Sequence, residues 1–218
     1  MIKELKDILP KKKVANPYGF ENYYGVRLPE LRKIAKIIVE EKRYDFFEEK
    51  HESFEELTIH AYAIGYLKED INVCLKYLKD FIPLVNNWSV SDSLCQNMKF
   101  ARKYPKEVFE FLKSMKDSDK EWKIRIVAVT MLSHFLNDEY IDEVITILDN
   151  LKRPTYMAKM GIAWAFATIM VKYEDKMFKY LNNSSLDEWT YNKAINKMRE
   201  SYRVSSSAKE KLLSMKRR

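Results

Sequence analysis

Four charged residues recur along this chain at nearly constant spacing: Asp92, Arg125, Lys159 and Lys193 lie 33, 34 and 34 positions apart. Each stands ahead of an apolar run in a helix-like stretch. These stretches read SDSLCQNMKF from Ser91, IRIVAVTML from Ile124, AKMGIAWAF from Ala158 and NKAINKM from Asn192. A repeat of 30 to 45 residues in a helical chain is the signature of stacked helix pairs, a solenoid in which each unit buries its apolar face against the next. Equivalent positions of stacked repeats line one face, so the register predicts a row of one carboxylate followed by three cations. Two indoles flank the row, Trp88 one helical turn before Asp92 and Trp164 five residues after Lys159. Such a surface suits an anionic partner that also carries flat, electron-poor rings.

Composition agrees with a helical chain. Only four glycines and six prolines occur in 218 residues, too few for a loop-rich or all-β protein. Leu, Lys, Glu, Met and Ala, the good helix formers, are abundant. No stretch rich in Gly or Ser divides the sequence, so one domain over 1–218 is expected. The connections are two to five residues long, which makes successive helices antiparallel neighbours. Ser53 and Glu56 have capping-box spacing, and Pro29 and Pro105 suit first helical turns. RYDFFEEKH reads as a short helix and NWSVSDSLCQNMKFARK as one continuous helix. The second helix of each pair is the more apolar and is expected inside, with amphipathic first helices such as DEYIDEVITILDNL outside. The long irregular stretch precedes Leu28. There Lys11, Lys12 and Lys13 accompany Tyr18, Tyr23 and Tyr24, a mixture that fits either nucleic-acid contact or a packed capping segment.

The formal charge is +7. A basic surface favours phosphate-bearing partners, although a lysine-rich proteome produces the same excess. Cys74 and Cys95 form no CxxC pair, which fits buried thiols in a reducing compartment. No secretory h-region or membrane-length apolar run is present, so a cytoplasmic protein that does not meet a membrane is expected. His51, His60 and His134 share no metal-ligand spacing, and neither metal nor cofactor is expected. No phosphate-cradling glycine loop and no GxSxG occurs.

Each residue of the row also has a plain structural reading. Asp92 would serve as a first-turn acid favoured by the helix dipole, with Trp88 in the core. Arg125 sits in an apolar run, which demands a partner; Asp92, one repeat earlier, is the natural one. Trp164 would fill core space among small residues, and Lys159 and Lys193 would be ordinary solvated lysines but for their register with Arg125.

YGVRLPELRKIAK near the start, NNWSVSDS at Asn86 to Ser93, the arginine of KIRIVAV and GIAWAF around Trp164 together resemble the AlkD-type DNA alkylation-repair glycosylases. The resemblance covers nearly the whole chain, with the motifs in the family's order and close to its spacing. It implies HEAT-like repeats wound into an all-α, right-handed α-α superhelix of the HEAT/ARM kind. It further implies hydrolysis of the N-glycosidic bond of cationic N3- and N7-alkylpurines in duplex DNA, without flipping the base into a pocket. By this resemblance Trp88, Asp92 and Trp164 are the catalytic residues and Arg125 an active-site arginine. With Lys159 and Lys193, Arg125 is expected to hold DNA phosphates. The expected partner is double-stranded DNA carrying alkylated purines, bound by a monomer. One position departs from the pattern: members often carry an acidic residue directly after the first tryptophan, and here it is Ser89. Two other classes remain open, a DNA- or damage-binding module without chemistry and a protein-interaction scaffold.

Overall fold

A computed structural model describes residues 2–10, 12, 14–16, 19–153 and 155–218. Lys11, Lys13 and Tyr18 of the basic, aromatic N-terminal stretch lie outside them. Every regular element among the described residues is helical, and the helices pack as those of a helical-repeat solenoid. The chain forms two compact units, one ending at Val108 and the other beginning at Phe109.

The first unit contains α1 (Lys3–Asp7), α2 (Leu28–Glu40), α3 (Phe54–Tyr66), α4 (Ile71–Phe81), α5 (Trp88–Asn97) and the one-turn α6 (Phe100–Lys103). Helix α3 packs between α2 and α5, and every one of its residues is buried. Its start is fixed by the expected capping box. Ser53 Oγ accepts from the Glu56 N–H at 3.1 Å, and the Glu56 carboxylate accepts from the Ser53 N–H at 3.3 Å. By contrast α4 buries a single stripe, Ile71, Cys74, Leu78 and Phe81, as an outer helix should.

Two expected helices differ. RYDFFEEKH forms only a short 3-10 helix, Tyr44–Glu48, with Phe46 and Phe47 both buried. The segment after Trp88 is not one helix either. It breaks at Met98, where ψ is 80°, and the Lys99 N–H leaves the helical ladder to donate to the Gly65 carbonyl at 2.9 Å.

The irregular segment before α2 is a packed cap. The buried Glu55 carboxylate accepts backbone N–H bonds from Tyr24, Gly25 and Val26 at 2.7 to 3.2 Å. Phe20 stacks on Phe54 with ring centroids 4.4 Å apart, and Tyr23 packs on the same ring at 5.6 Å. Gly25 has φ +87°, and a Cβ there would stand 2.5 Å from Val14 Cβ, so no other residue fits.

The second unit contains α8 (Glu121–His134), α9 (Ile141–Asn150), α10 (Tyr156–Lys172), α11 (Glu174–Leu181), α12 (Glu188–Glu200) and α13 (Ser206–Ser214), with α7 (Pro105–Ser114) carrying the boundary. Helix α10 packs between α8 and α12. The β-branched run of α8, buried from Ile124 to Met131, is helical as its place in the repeat requires. Outer helices tie successive repeats together: Lys176 donates to Asp142, 34 positions away, and the Tyr173 hydroxyl to Asp138, 35 away at 2.9 Å. The repeat period therefore reappears as a ladder of polar contacts.

His60, 2% exposed, lies against the rings of Phe47 and Phe81 at 5.1 and 4.4 Å. Burial among these rings, with His51 nearby, pushes its pKa down to about 3. The unfolded chain takes up this proton near pH 6.5, whereas the folded chain resists it. Its contribution to stability is therefore complete above about pH 6.5 and is lost as the pH falls towards 3, by an order of a few kcal/mol. The urea midpoint is expected to drop between pH 7 and pH 4.5, and the drop should shrink in His60→Phe. An equal drop in both proteins would remove His60 as its source.

Candidate functional site

Asn87 sets the geometry of α5. Its Oδ1 accepts from the Val90 N–H at 3.0 Å, which fixes Trp88 as the first helical residue. Asp92 then falls one turn later on the same side. It is 7% exposed and lies beyond the first turn, so the helix-dipole reading of this acid does not account for it. Trp88 is half-buried, and its ring lies 6.3 Å from that of Phe20. The hydroxyl of Ser93, next to Asp92, donates to the Tyr62 hydroxyl at 3.3 Å.

The cations belong to the second unit. Asp92 and Arg125 are each the fifth residue of their helix, Lys159 is the fourth and Lys193 the sixth. The register read from sequence thus places all four in the second turn.

Arg125, 6% exposed, donates from Nη1 to the Met157 carbonyl at 2.9 Å. Glu121, one turn earlier on α8, accepts from the Met157 N–H at 3.1 Å. Met157 is therefore gripped at both its N–H and its C=O by two side chains of α8. Gly161 makes room for the arginine, since a Cβ there would meet Arg125 Cγ at 3.3 Å. Trp164 follows one turn after Gly161, so Arg125 of α8 packs against the turn of α10 that precedes the indole.

Lys159 is less available than its register predicts. Its ammonium donates to Asp187 at 3.2 Å and lies 5.6 Å from the Trp189 ring. Asp187 is also the N-cap of α12, accepting from the Thr190 N–H at 3.1 Å and its hydroxyl at 2.6 Å. Burial works against the charge of Asp187, but these hydrogen bonds and the one from Lys159 outweigh it and hold its carboxyl below the usual range. Lys193 is half-buried and has no ion-pair partner among the described residues.

Trp164 is half-buried and lines a cleft of about 220 Å³ with Thr168, Lys197 and Arg203. The 34-residue register does not mark Lys197 or Arg203. Lys197 was findable, because it stands four residues after Lys193 on the same helical face; Arg203 lies beyond α12 and has no periodic signal. Beside it Tyr202 is fully exposed. Among the described residues no three His, Cys, Asp or Glu side chains gather as metal ligands, and no helix is long and apolar enough to cross a membrane.

The family model for the DNA alkylation repair enzyme matches residues 10–198. The chain belongs to the DNA alkylation repair enzyme family. No curated protein and no solved structure matches it significantly. The match runs from ahead of α2 into the last turn of α12 and takes in Trp88, Asp92, Arg125, Lys159, Trp164 and Lys193. Membership in a DNA alkylation repair family implies a DNA substrate.

Proposed function

We propose that this family member is a DNA glycosylase that hydrolyses the N-glycosidic bond of N3- and N7-alkylpurines in duplex DNA without flipping the base. What carries the reading is the Trp88–Asp92 pair, a buried carboxylate one turn from an indole, inside the stretch matched by an alkylation-repair family. A cationic alkylpurine departs as a neutral base when the C1′–N bond breaks, so no general acid is needed. The enzyme has to stabilise an oxocarbenium-like sugar and deliver water to C1′. Asp92, ionised, serves both ends. The indoles of Trp88 and Trp164 offer faces to the sugar and to the cationic base. Arg125, Lys159 and Lys193 hold phosphates and give position rather than sequence choice, with Lys159 weakened in that role by Asp187.

The direct test is release of 7-methylguanine and 3-methyladenine from methylated duplex DNA by the purified protein. Ser89 beside Trp88, where the family pattern often has an acid, favours one second reading, a damage-binding module without chemistry. Tight binding with no base release selects it.

Affinity for duplex DNA should fall steeply with salt, the log–log slope approaching about −0.9 per phosphate contact. Arg125→Ala is expected to weaken binding to unrelated sequences alike. It should also destabilise the fold by about 1–3 kcal/mol, because the bond to Met157 disappears. Binding isotherms at several salt concentrations, taken well below the melting temperature, check this. Salt-independent binding or a strong sequence preference would contradict phosphate clamping.

A further inference from the structure

Away from the Trp88–Asp92 pair, the first unit holds a cavity of about 490 Å³ where α2, α3 and α5 end. Four lysines line it, Lys36, Lys42, Lys68 and Lys99, with the ring of Tyr66 in its wall. Two carboxylates, Glu40 and Glu69, also reach it, but Glu69 accepts the Tyr44 hydroxyl at 2.7 Å. Among the described residues none of the four ammonium groups has an ion-pair partner. Lysines near helix C-termini compensate the dipole, which explains one or two of them. It does not explain four of them lining one concavity.

Lys42 points further. Helix α2 ends in a Schellman motif: the Arg43 N–H donates to the Ile38 carbonyl at 3.0 Å and the Lys42 N–H to that of Val39 at 3.3 Å. The residue at the turn has φ +53°, a left-handed conformation in which glycine is the relaxed choice. Here a lysine accepts the strain, and its side chain lines the cavity. A left-handed lysine at the rim of a concavity is a candidate for a side chain that is used.

The cavity is joined to the proposed site. Ser93, beside Asp92, bonds Tyr62, whose ring stacks on Tyr66 with centroids 6.2 Å apart, and the Lys99 ammonium lies 4.7 Å over Tyr66. Asn97, the last residue of α5, lies five residues beyond Asp92, roughly 7 Å along the helix at about 1.5 Å per residue, and Lys99 follows two residues later.

We propose that this lysine cavity is a phosphate subsite that grips the DNA strand close to the lesion. The inference rests on the DNA-binding reading but not on catalysis. Its test compares duplex binding by the wild type, the triple variant Lys36→Gln/Lys68→Gln/Lys99→Gln, and an outer-helix control on α4, Lys76→Gln/Lys79→Gln. The triple variant should bind several-fold more weakly and flatten the salt slope by about 0.9 for each phosphate it no longer neutralises, while the control changes little. Lys42→Gly should unfold at higher urea than wild type and yet bind duplex DNA more weakly, a pair of effects that a dipole-compensating lysine would not show. A triple variant that binds no more weakly than the control overturns the subsite. So does a Lys42→Gly protein that binds as well as wild type. Should calorimetry find dAMP binding that the triple variant abolishes while duplex affinity stays unchanged, the cavity serves a free phosphate compound and the strand assignment falls. If wild type binds no duplex DNA, the DNA reading and the subsite fail together. If it binds DNA but releases no base, only the glycosylase reading fails.

Discussion

Asp92→Asn is expected to keep the fold and most of the affinity for duplex DNA while releasing 7-methylguanine or 3-methyladenine about a hundredfold more slowly. Asparagine matches aspartate in shape, so packing in α5 and the pairing of Trp88 one turn away should survive. What disappears is the negative charge that a developing sugar cation needs. Groups of this kind contribute roughly 3 kcal/mol when they are held in place and shielded from water, and Asp92 is so shielded at 7% exposure. Trp88→Ala and Trp164→Ala should slow release by less, since each removes an apolar surface and a cation–π face rather than a full charge. A neutral lesion such as ethenoadenine should be a poor substrate, because its departure as an anion needs a proton that this site has no evident means to supply. Single-turnover release from methylated duplex, measured beside a binding isotherm, separates the two effects. Equal rates for wild type and Asp92→Asn would remove Asp92 from the chemistry.

A large loss of stability is expected from Gly65→Ala. Gly65 lies in the last turn of α3, where the helix passes α5 so closely that a Cβ would stand 2.6 Å from the Asn97 carbonyl oxygen and 2.8 Å from its carbon. Backbone cannot swing aside as a side chain does. The two helices would have to separate, disturbing the Lys99 N–H bond to the Gly65 carbonyl at 2.9 Å. Overpacking of this kind costs about 1–3 kcal/mol, and the upper end applies where backbone is struck. Replacing glycine within a helix returns up to about 1 kcal/mol, so a net loss of about 2 kcal/mol is expected in urea unfolding. Gly161→Ala is the informative comparison. It gains the same helix propensity and meets a side-chain atom, Arg125 Cγ, at 3.3 Å rather than backbone at 2.6 Å, so it should cost less than Gly65→Ala. A Gly65→Ala protein as stable as wild type would refute the close packing of α3 on α5.

Local information was enough for much of this molecule. Interior helices of stacked pairs must be apolar nearly all round and outer helices on one stripe only, so α3 and α8 against α4 were separable by inspection. The 34-residue register carried Asp92, Arg125, Lys159 and Lys193 into the second turn of four successive repeats, because equal spacing from equal starts needs no tertiary knowledge. The capping box at Ser53 is a contact over three residues and was legible for the same reason. The tertiary structure decided the remainder. Nothing local marks Asp187 as the partner of Lys159, 28 residues away, or Met157 as the backbone that Arg125 and Glu121 hold. The break at Met98 follows from the Gly65 carbonyl of another helix, and the left-handed turn at Lys42 from the way α2 ends against its own carbonyls. Periodicity fixes which face of a helix is buried. Which atom meets which on that face is set by the distances between packed helices, and those distances depend on residues about thirty positions apart in the chain.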